Sequence, residues 1–415
     1  MKILALNCGS STVKFQLFET GPELIERDQD RALARGTVER VGAPESPASF
    51  QAGEGGKRSF TTTAHNHQEA IHTALACLVH PGGPLRDLQE IDGAGHRMVY
   101  IGDRFRGPVR LDEEARTAIE AAAHLAPLHT PHNLRGYLAL RAELPSCPNV
   151  AVFDSAFHHS IPPRAYLFGL PYEVCTDLRI RQYGYHGISH QYVFERYCRL
   201  RRAAPDKVKV ITCHLGSGCS MCAIDRGQSV DTSLGFSPLG GLMMGTRPGD
   251  LDPGALLHLM AVRGLDVAQA HAMLNQRSGL LGLSGLSNDM RELDAASRKG
   301  HERARLAIEV FCYRIKKYLG SFCAVLNGCD AIIFTGGIGE HRPLVRAMAC
   351  ADLGALGIAI DPDKNEAAVG REAEISGPGG SAEVWVIPTN EELLIARHTV
   401  QLVTGGPPAP APGGE

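Results

Sequence analysis

Residues 3–19 read ILALNCGSSTVKFQLFE, and residues 210–224 read VITCHLGSGCSMCAI. In each, an apolar strand runs into a tight Gly/Ser turn and a second apolar strand leaves it. Gly and Ser at such turns leave backbone N–H groups open to an anion, so each turn is a candidate phosphate clamp. One such hairpin is commonly only a hairpin. Two, about half the chain apart, point to duplicated α/β halves and to an enzyme that splits a nucleotide between two similar domains.

The chain has 415 residues, enough for two or three domains, each with its own core. Apolar residues make up 44% and charged residues 21%, the mix of a soluble globular protein. The net charge of −3 gives no reason to expect a nucleic acid or an anionic membrane as partner. No apolar run reaches the roughly 18–20 residues that span a bilayer. The start, Lys2 followed by Ile3-Leu4-Ala5-Leu6 and polar Asn7, is too short for a signal peptide, so a cytoplasmic location is expected. Twelve cysteines are then expected as reduced thiols. Cys219 and Cys222 form a CxxC without a matching second pair, on a strand leaving a turn, and read as small buried residues rather than a metal or redox site.

Further elements follow from pattern. Gly42 to Ser59, rich in Gly, Pro and Ser, reads as a loop. Helical spacing covers Gln68 to Val79, Asp112 to Ala123, Ala304 to Leu319 and Glu391 to Leu402. Strands are expected around His96 to Ile101, at Val150 to Phe153, as a three-strand meander over Val208 to Ser233, at Ala331 to Phe334 and at Val384 to Ile387. The Pro/Ala/Gly-rich tail from Gly405 is expected to be disordered.

Several segments carry candidate chemistry. FTGGIGEH, Phe334 to His341, has the order strand, glycine turn, helix. It suits a phosphate or sugar, or is a plain strand–helix turn. Asp154 ends its strand, where it would order Mg²⁺ or its waters, or cap the next helical turn. Arg97 follows His96 on an apolar strand, and Arg247 sits among glycines in MMGTRPGD. Each would fork onto a carboxylate or phosphoryl group, or form a salt bridge. His186 and His190, in GYHGISH, would share a face if helical. No further zinc ligand is apparent nearby, and His186 between glycines reads as a donor to an anion. His124, His129 and His132 read as loop-packing residues. TNEEL, Thr389 to Leu393, caps a helix or brings a second carboxylate to a metal.

In this order the segments resemble the acetate/propionate kinase family. Matching stretches are LNCGSSTVKF (6–15), GHRMV (95–99), LAPLHTPHN (125–133), FDSAFHHSIP (153–162), YGYHGISH (183–190), HLGSG (214–218), VDTSLGFSPLGGLMMGTRPGDLDP (230–253), SNDMREL (287–293), FTGGIGEH (334–341) and IPTNEEL (387–393). The resemblance implies an α/β chain with two duplicated actin-like ATPase (ribonuclease H-like) domains and an interdomain cleft. It divides the chain into an N-terminal acyl-substrate and phosphate domain, 1–153 plus 386–404, and a nucleotide-binding and dimerisation domain, 154–385, with 405–415 a disordered tail.

The resemblance also implies roles. Asn7 and Glu391 lie around Mg²⁺, with Mn²⁺ as a possible substitute. Lys14 faces the phosphates. Arg97 and Arg247 hold the substrate carboxylate and the migrating phosphoryl group, His186 donates to that group, and Asp154 is the catalytic acid. Val99, Leu128 and Pro238 wall the acyl methyl. The nucleotide site would be lined by His214, Leu215, Gly216, Ser217 and Gly218, by Asp289, Met290 and Arg291, and by Gly337, Ile338, Gly339, Glu340 and His341. The expected partners are ATP or ADP with acetate or propionate, and a second copy of the chain. Departures from the family pattern fall at Tyr100, Ile101 and Gly102, at Gln182 and Ile188, and at Ser217 and His341. The first two sets bear on the geometry of the acyl site, and Ser217 and His341 on nucleotide preference. They motivate two rival readings: a nucleotide-binding regulatory protein that has lost turnover, and a kinase using pyrophosphate or another phosphoryl donor.

Overall fold

The computed structural model describes residues 1–99, 105–123 and 130–406. Fourteen strands are among them: β1 (Lys2–Cys8), β2 (Thr12–Glu19), β3 (Arg31–Glu39), β4 (Ser46–Ala52), β5 (Arg58–Thr62), β6 (Gly93–Met98), β7 (Val109–Arg110), β8 (Asn149–Phe153), β9 (Lys209–Leu215), β10 (Cys219–Asp225), β11 (Gln228–Thr232), β12 (Ala331–Thr335), β13 (Ala373–Glu374) and β14 (Glu383–Val386). They form two sheets, ordered β5-β4-β3-β2-β1-β6-β8-β7 and β11-β10-β9-β12-β14-β13.

The two sheets share a plan. In the first, antiparallel β3-β2-β1 is followed by parallel β6 and β8; in the second, antiparallel β11-β10-β9 is followed by parallel β12 and β14. The duplicated hairpins are thus the first two strands of two like sheets. Each lies in its own compact unit: Met1–Phe157 with Asn390–Glu415, and His158–Thr389.

The expectations needed three corrections, of which the simplest is that His132, read as loop-packing, lies in the helix Thr130–Glu143. Gly42 to Ser59 is not a loop, because β4 and the start of β5 lie within it and extend the sheet from β3. Its alternation of buried Ser46, Ala48 and Phe50 with half-buried neighbours is the period-2 signal that the Gly/Pro/Ser content masks. The last strand does not complete the N-terminal unit. β14 pairs in parallel with β12, and the compact units change at 157/158 and 389/390 rather than at 153/154 and 385/386. The tail beyond Gly406, Tyr100, Ile101, Gly102, His124, Leu128 and His129 lie outside the described residues.

Strand parity decides what each face of the first sheet carries. Leu4, Leu6 and Cys8 join Val13, Phe15 and Leu17 in a core with Ala70, Ile71, Leu75, Ala139 and Leu140, from the helices His67–Val79 and Thr130–Glu143. Ile3, Ala5 and Asn7 therefore face the other way, toward the final helix, Glu391–Val403. Both faces of β1 are covered, which is why Ile3 to Leu6 reads as an unbroken apolar run. Gly95 on β6 lets the final helix approach: a Cβ there would lie 2.3 Å from Thr399 Oγ1 and 2.5 Å from Ile395. The helix starts with Asn390 accepting the Leu393 N–H. Buried Arg397 ties it to Asp28 and Asp30.

Candidate active site

The same parity gathers one cluster of side chains in the first unit. Asn7 pairs across the hairpin with Lys14, so both leave on the face of the final helix. Arg97 follows Gly93 and Gly95 on that face of β6. Val152 is its partner on β8, and Asp154 comes two residues later. Arg97 forks onto Asp154, with Nε donating to Oδ1 at 3.2 Å and Nη2 to Oδ2 at 2.5 Å. Its Nη1 lies 3.5 Å from Asn7 Oδ1, and its Nε 3.7 Å from the Glu391 carboxylate. Burial works against the Arg97 charge, but the Asp154, Glu391 and Glu392 carboxylates more than offset it and raise its pKa. Burial, with the Glu391 charge adding to it, raises the Glu392 pKa, while Lys14 and Arg97 pull it down. Three carboxylates around one arginine leave an excess of negative charge, and every donor is a hard oxygen. That set fits Mg²⁺, which is held by one or two carboxylates, its own waters and phosphates. Val99 is half-buried and donates its N–H to Asn133 Oδ1. Lys14 is exposed and lines a cavity of about 320 Å³ with Arg35, Lys57 and Glu392.

A second cluster lies in the other unit. His186 caps the helix Gly187–Arg201 in a left-handed conformation, φ 58°, a backbone state uncommon outside glycine and found at functional positions. Its Nδ1 is 2.9 Å from Ser220 Oγ, and its ring stacks on His214 with centroids 4.4 Å apart. Arg247 donates from Nη1 to the Pro238 carbonyl at 2.8 Å. Its Nη2 and the His186 ring meet at the second glycine turn: a Cβ on Gly218 would lie 2.9 Å from Arg247 Nη2 and 3.4 Å from His186 Nε2. Among the described residues no carboxylate pairs with Arg247, and burial lowers its pKa. A half-buried cation with no carboxylate partner among the described residues, beside a histidine and a glycine turn, is an arrangement that could hold an anion. Arg97, by contrast, is already paired.

A cavity of about 460 Å³ lies along the same turn. It is lined by Gly216, Ser217, Asp289, Met290, Arg291, Gly337, Ile338 and His341, together with Asn288 and Arg342. The first eight were expected from sequence. Asn288 and Arg342 were missed, although each adjoins an expected residue. Asp289 caps its helix and also receives the Arg291 guanidinium. Gly336, φ 74°, opens the GGIG segment tight against β9, where a Cβ would lie 2.7 Å from the Leu215 carbonyl. His214 engages Ser189, while Leu215 and Gly339 are buried. Glu340 turns to the backbone, accepting the Gly336 and Thr389 N–H groups. Gln182 donates to Asp231 and to the Thr232 carbonyl, and Ile188 is buried. The CxxC sulfurs are buried on β10, and no group of three metal ligands from His, Cys, Asp and Glu occurs among the described residues.

The model of the acetokinase family matches residues 2–397. The chain belongs to the acetokinase family. It is similar to the acetate kinase of Dictyoglomus turgidum, 45% identical over 404 residues, covering 97% of this chain and 98% of that relative. Among solved structures it resembles Porphyromonas gingivalis acetate kinase, with a TM-score of 0.91, 41% identity, and 97% and 99% of the two chains covered. It also resembles a propionate kinase from Francisella tularensis, with a TM-score of 0.87, 37% identity, and coverage of 95% and 98%. A member of this family is a phosphotransferase with a carboxyl group as acceptor, on the actin-like ATPase fold.

Proposed function

We propose that this chain carries out the acetate kinase reaction, acetate + ATP ⇌ acetyl phosphate + ADP, with Arg247 and His186 receiving the migrating phosphoryl group. Acetate is ionised at pH 7, since carboxylate pKa values lie near 4 to 5, so the nucleophile needs no strong base. It needs help in approaching a polyanion. Arg247, half-buried and with no carboxylate partner among the described residues, supplies a fixed positive charge beside the His186 ring, and that pairing is the observation that carries the reading. Mg²⁺, with Asn7 and Glu391 as protein ligands, would neutralise phosphate charge. Arg97 is assigned to the acyl carboxylate, and Asp154, whose two oxygens receive its fork, to holding that guanidinium in one orientation. Lys14 is assigned to the phosphates. The cavity beside Ser217, Asp289 and His341 is assigned to the nucleotide.

Propionate is the second acyl substrate to consider, in keeping with the Francisella tularensis relative. One methylene is worth only about 1–3 kcal/mol of discrimination. The chain is also assigned to the cytoplasm and to a homodimer. In support of the dimer, the helix Pro253–Arg263 (PGALLHLMAVR) buries none of its residues in this chain, and Leu257 and Val262 are each 66% exposed.

Trapping the product with hydroxylamine tests the reaction. Acetate with MgATP should yield acetyl hydroxamate, and propionate and butyrate run alongside should rank the acyl chain. No acyl phosphate from any acid would leave the regulatory reading standing; product from pyrophosphate but not ATP would change the donor.

A further inference from the structure

We propose that His190 is a positioning residue which, through the Ser220 hydroxyl, holds His186 in the tautomer with its proton on Nε2, the nitrogen beside the Gly218 turn. The inference rests on the assignment of His186 as a donor to the phosphoryl group.

The argument is a count of protons along four buried or half-buried side chains. Thr212 and His214 alternate on one face of β9, and Ser220 on β10 is paired with His214, so all three face the helix that carries His186 and His190. His190 is wholly buried. Its Nδ1 is 2.7 Å from Thr212 Oγ1 and its Nε2 is 2.7 Å from Ser220 Oγ. The same Ser220 oxygen is 2.9 Å from His186 Nδ1. Ser220 is fully buried and these two rings are its side-chain hydrogen-bond partners among the described residues, so its one proton must go to one ring while its oxygen accepts from the other.

Thr212 decides which. Its side chain is fully buried, and His190 Nδ1 is its one hydrogen-bond partner among the described residues. Were His190 to donate from Nδ1, the Thr212 proton would be buried with no acceptor, which is costly. Thr212 therefore donates, and His190 Nδ1 accepts. Burial, with the neighbouring His158 and His214, holds the His190 pKa far below its ordinary value, so the ring is neutral and carries its one proton on Nε2. That proton goes to Ser220 Oγ, and the Ser220 proton goes to His186 Nδ1. His186 is left with its proton on Nε2, on the side where Arg247 Nη2 also lies.

The consequence is chemical. A neutral imidazole with Nε2–H donates to a phosphoryl oxygen without first taking up a proton. With the opposite polarity, His186 would have to be charged to donate, and the site would lose its donor as pH rises through the ordinary histidine range, about 6 to 7. Charged or titratable groups against these rings include His214, stacked on His186 and edge-on to His190, His158, edge-on to His190 at 5.7 Å, and Arg247 at the turn.

The test is long-range ¹⁵N–¹H NMR on the full chain with labelled histidine, the His186 signals being assigned by their loss in His186→Asn. The native chain should show His186 as the Nε2–H tautomer; the Nδ1–H tautomer would overturn the relay whatever the activity. Ser220→Ala should release the tautomer to a mixture and lower kcat roughly ten-fold, about one hydrogen bond's worth, with KM for both substrates little changed. It should also introduce a loss of kcat at alkaline pH. His190→Gln, which keeps a donor toward Ser220 and an acceptor toward Thr212, should retain the Nε2–H form and most of the kcat that Ser220→Ala loses. A Ser220→Ala chain with the native tautomer and the native pH profile would also overturn the relay. Normal turnover in His186→Asn would instead overturn the donor role on which it rests, leaving the tautomer result to stand.

Discussion

At the scale of the residue, two arginines singled out by the same argument fall into different environments. Arg97 is held by Asp154 and faced by Glu391, and their carboxylates raise its pKa against burial. Arg247 donates to the Pro238 carbonyl, and burial lowers its pKa. Arg97 is thus salt-bridged in this structure, whereas no carboxylate among the described residues pairs with Arg247. Local sequence did not decide this, because Asp250 lies three residues from Arg247 but receives the Gly241 N–H and the Tyr318 hydroxyl instead. Arg247→Leu is expected to lower kcat roughly 10³-fold, as for other arginines that stabilise a moving phosphoryl group. Steady-state kinetics with acetate and MgATP would measure it, and near-normal turnover would remove Arg247 from the mechanism.

At the scale of the element, strand parity does most of the arranging. On β6, Arg97 leaves toward the final helix while His96 leaves toward the helix Thr130–Glu143, where it meets Tyr137 edge-on and Asn149 Oδ1 at 2.7 Å. Burial pushes the His96 pKa down to about 4, and that of His158 in the second unit likewise. Unfolding returns each to about 6.5, so the unfolded chain binds more protons between those values. The stability each contributes by staying neutral is complete above pH 6.5 and is lost as pH falls toward 4, about 3 kcal/mol per histidine. Thermal melts at pH 7 and pH 4.5 should therefore differ less in His96→Gln than in the native chain. An equal drop in both would show that His96 is not a source of acid lability. Elements were legible where period and punctuation agreed, as in the three-strand meander and the GGIG turn. β4 was not, because its Gly- and Pro-rich flanks outweighed a short alternation.

At the scale of the whole molecule, the duplication read from two hairpins reappears as two sheets with one strand order. The placement of the last strand in the second sheet follows from the same plan. The parallel position beside β12 must be filled to complete the second sheet, and β14 fills it before the chain returns to the first unit as a helix. The bare apolar helix Pro253–Arg263 makes its own demand at this scale. Leu257→Asp is expected to shift the chain from dimer toward monomer in sedimentation velocity, because a charge on a buried apolar contact is not tolerated. A native chain that sediments as a monomer at micromolar concentration would refute the dimer.

Sequence by itself determined the hairpin duplication and the family, because turns, apolar periods and long specific motifs are local properties of the chain. Tertiary structure alone decided which arginine is neutralised and which is left open. It also decided where the last strand pairs, and how Thr212, His190 and Ser220 set a proton on His186. Those outcomes depend on distances between residues far apart in sequence, and on burial, which gives a single proton or an unpaired charge its energetic weight.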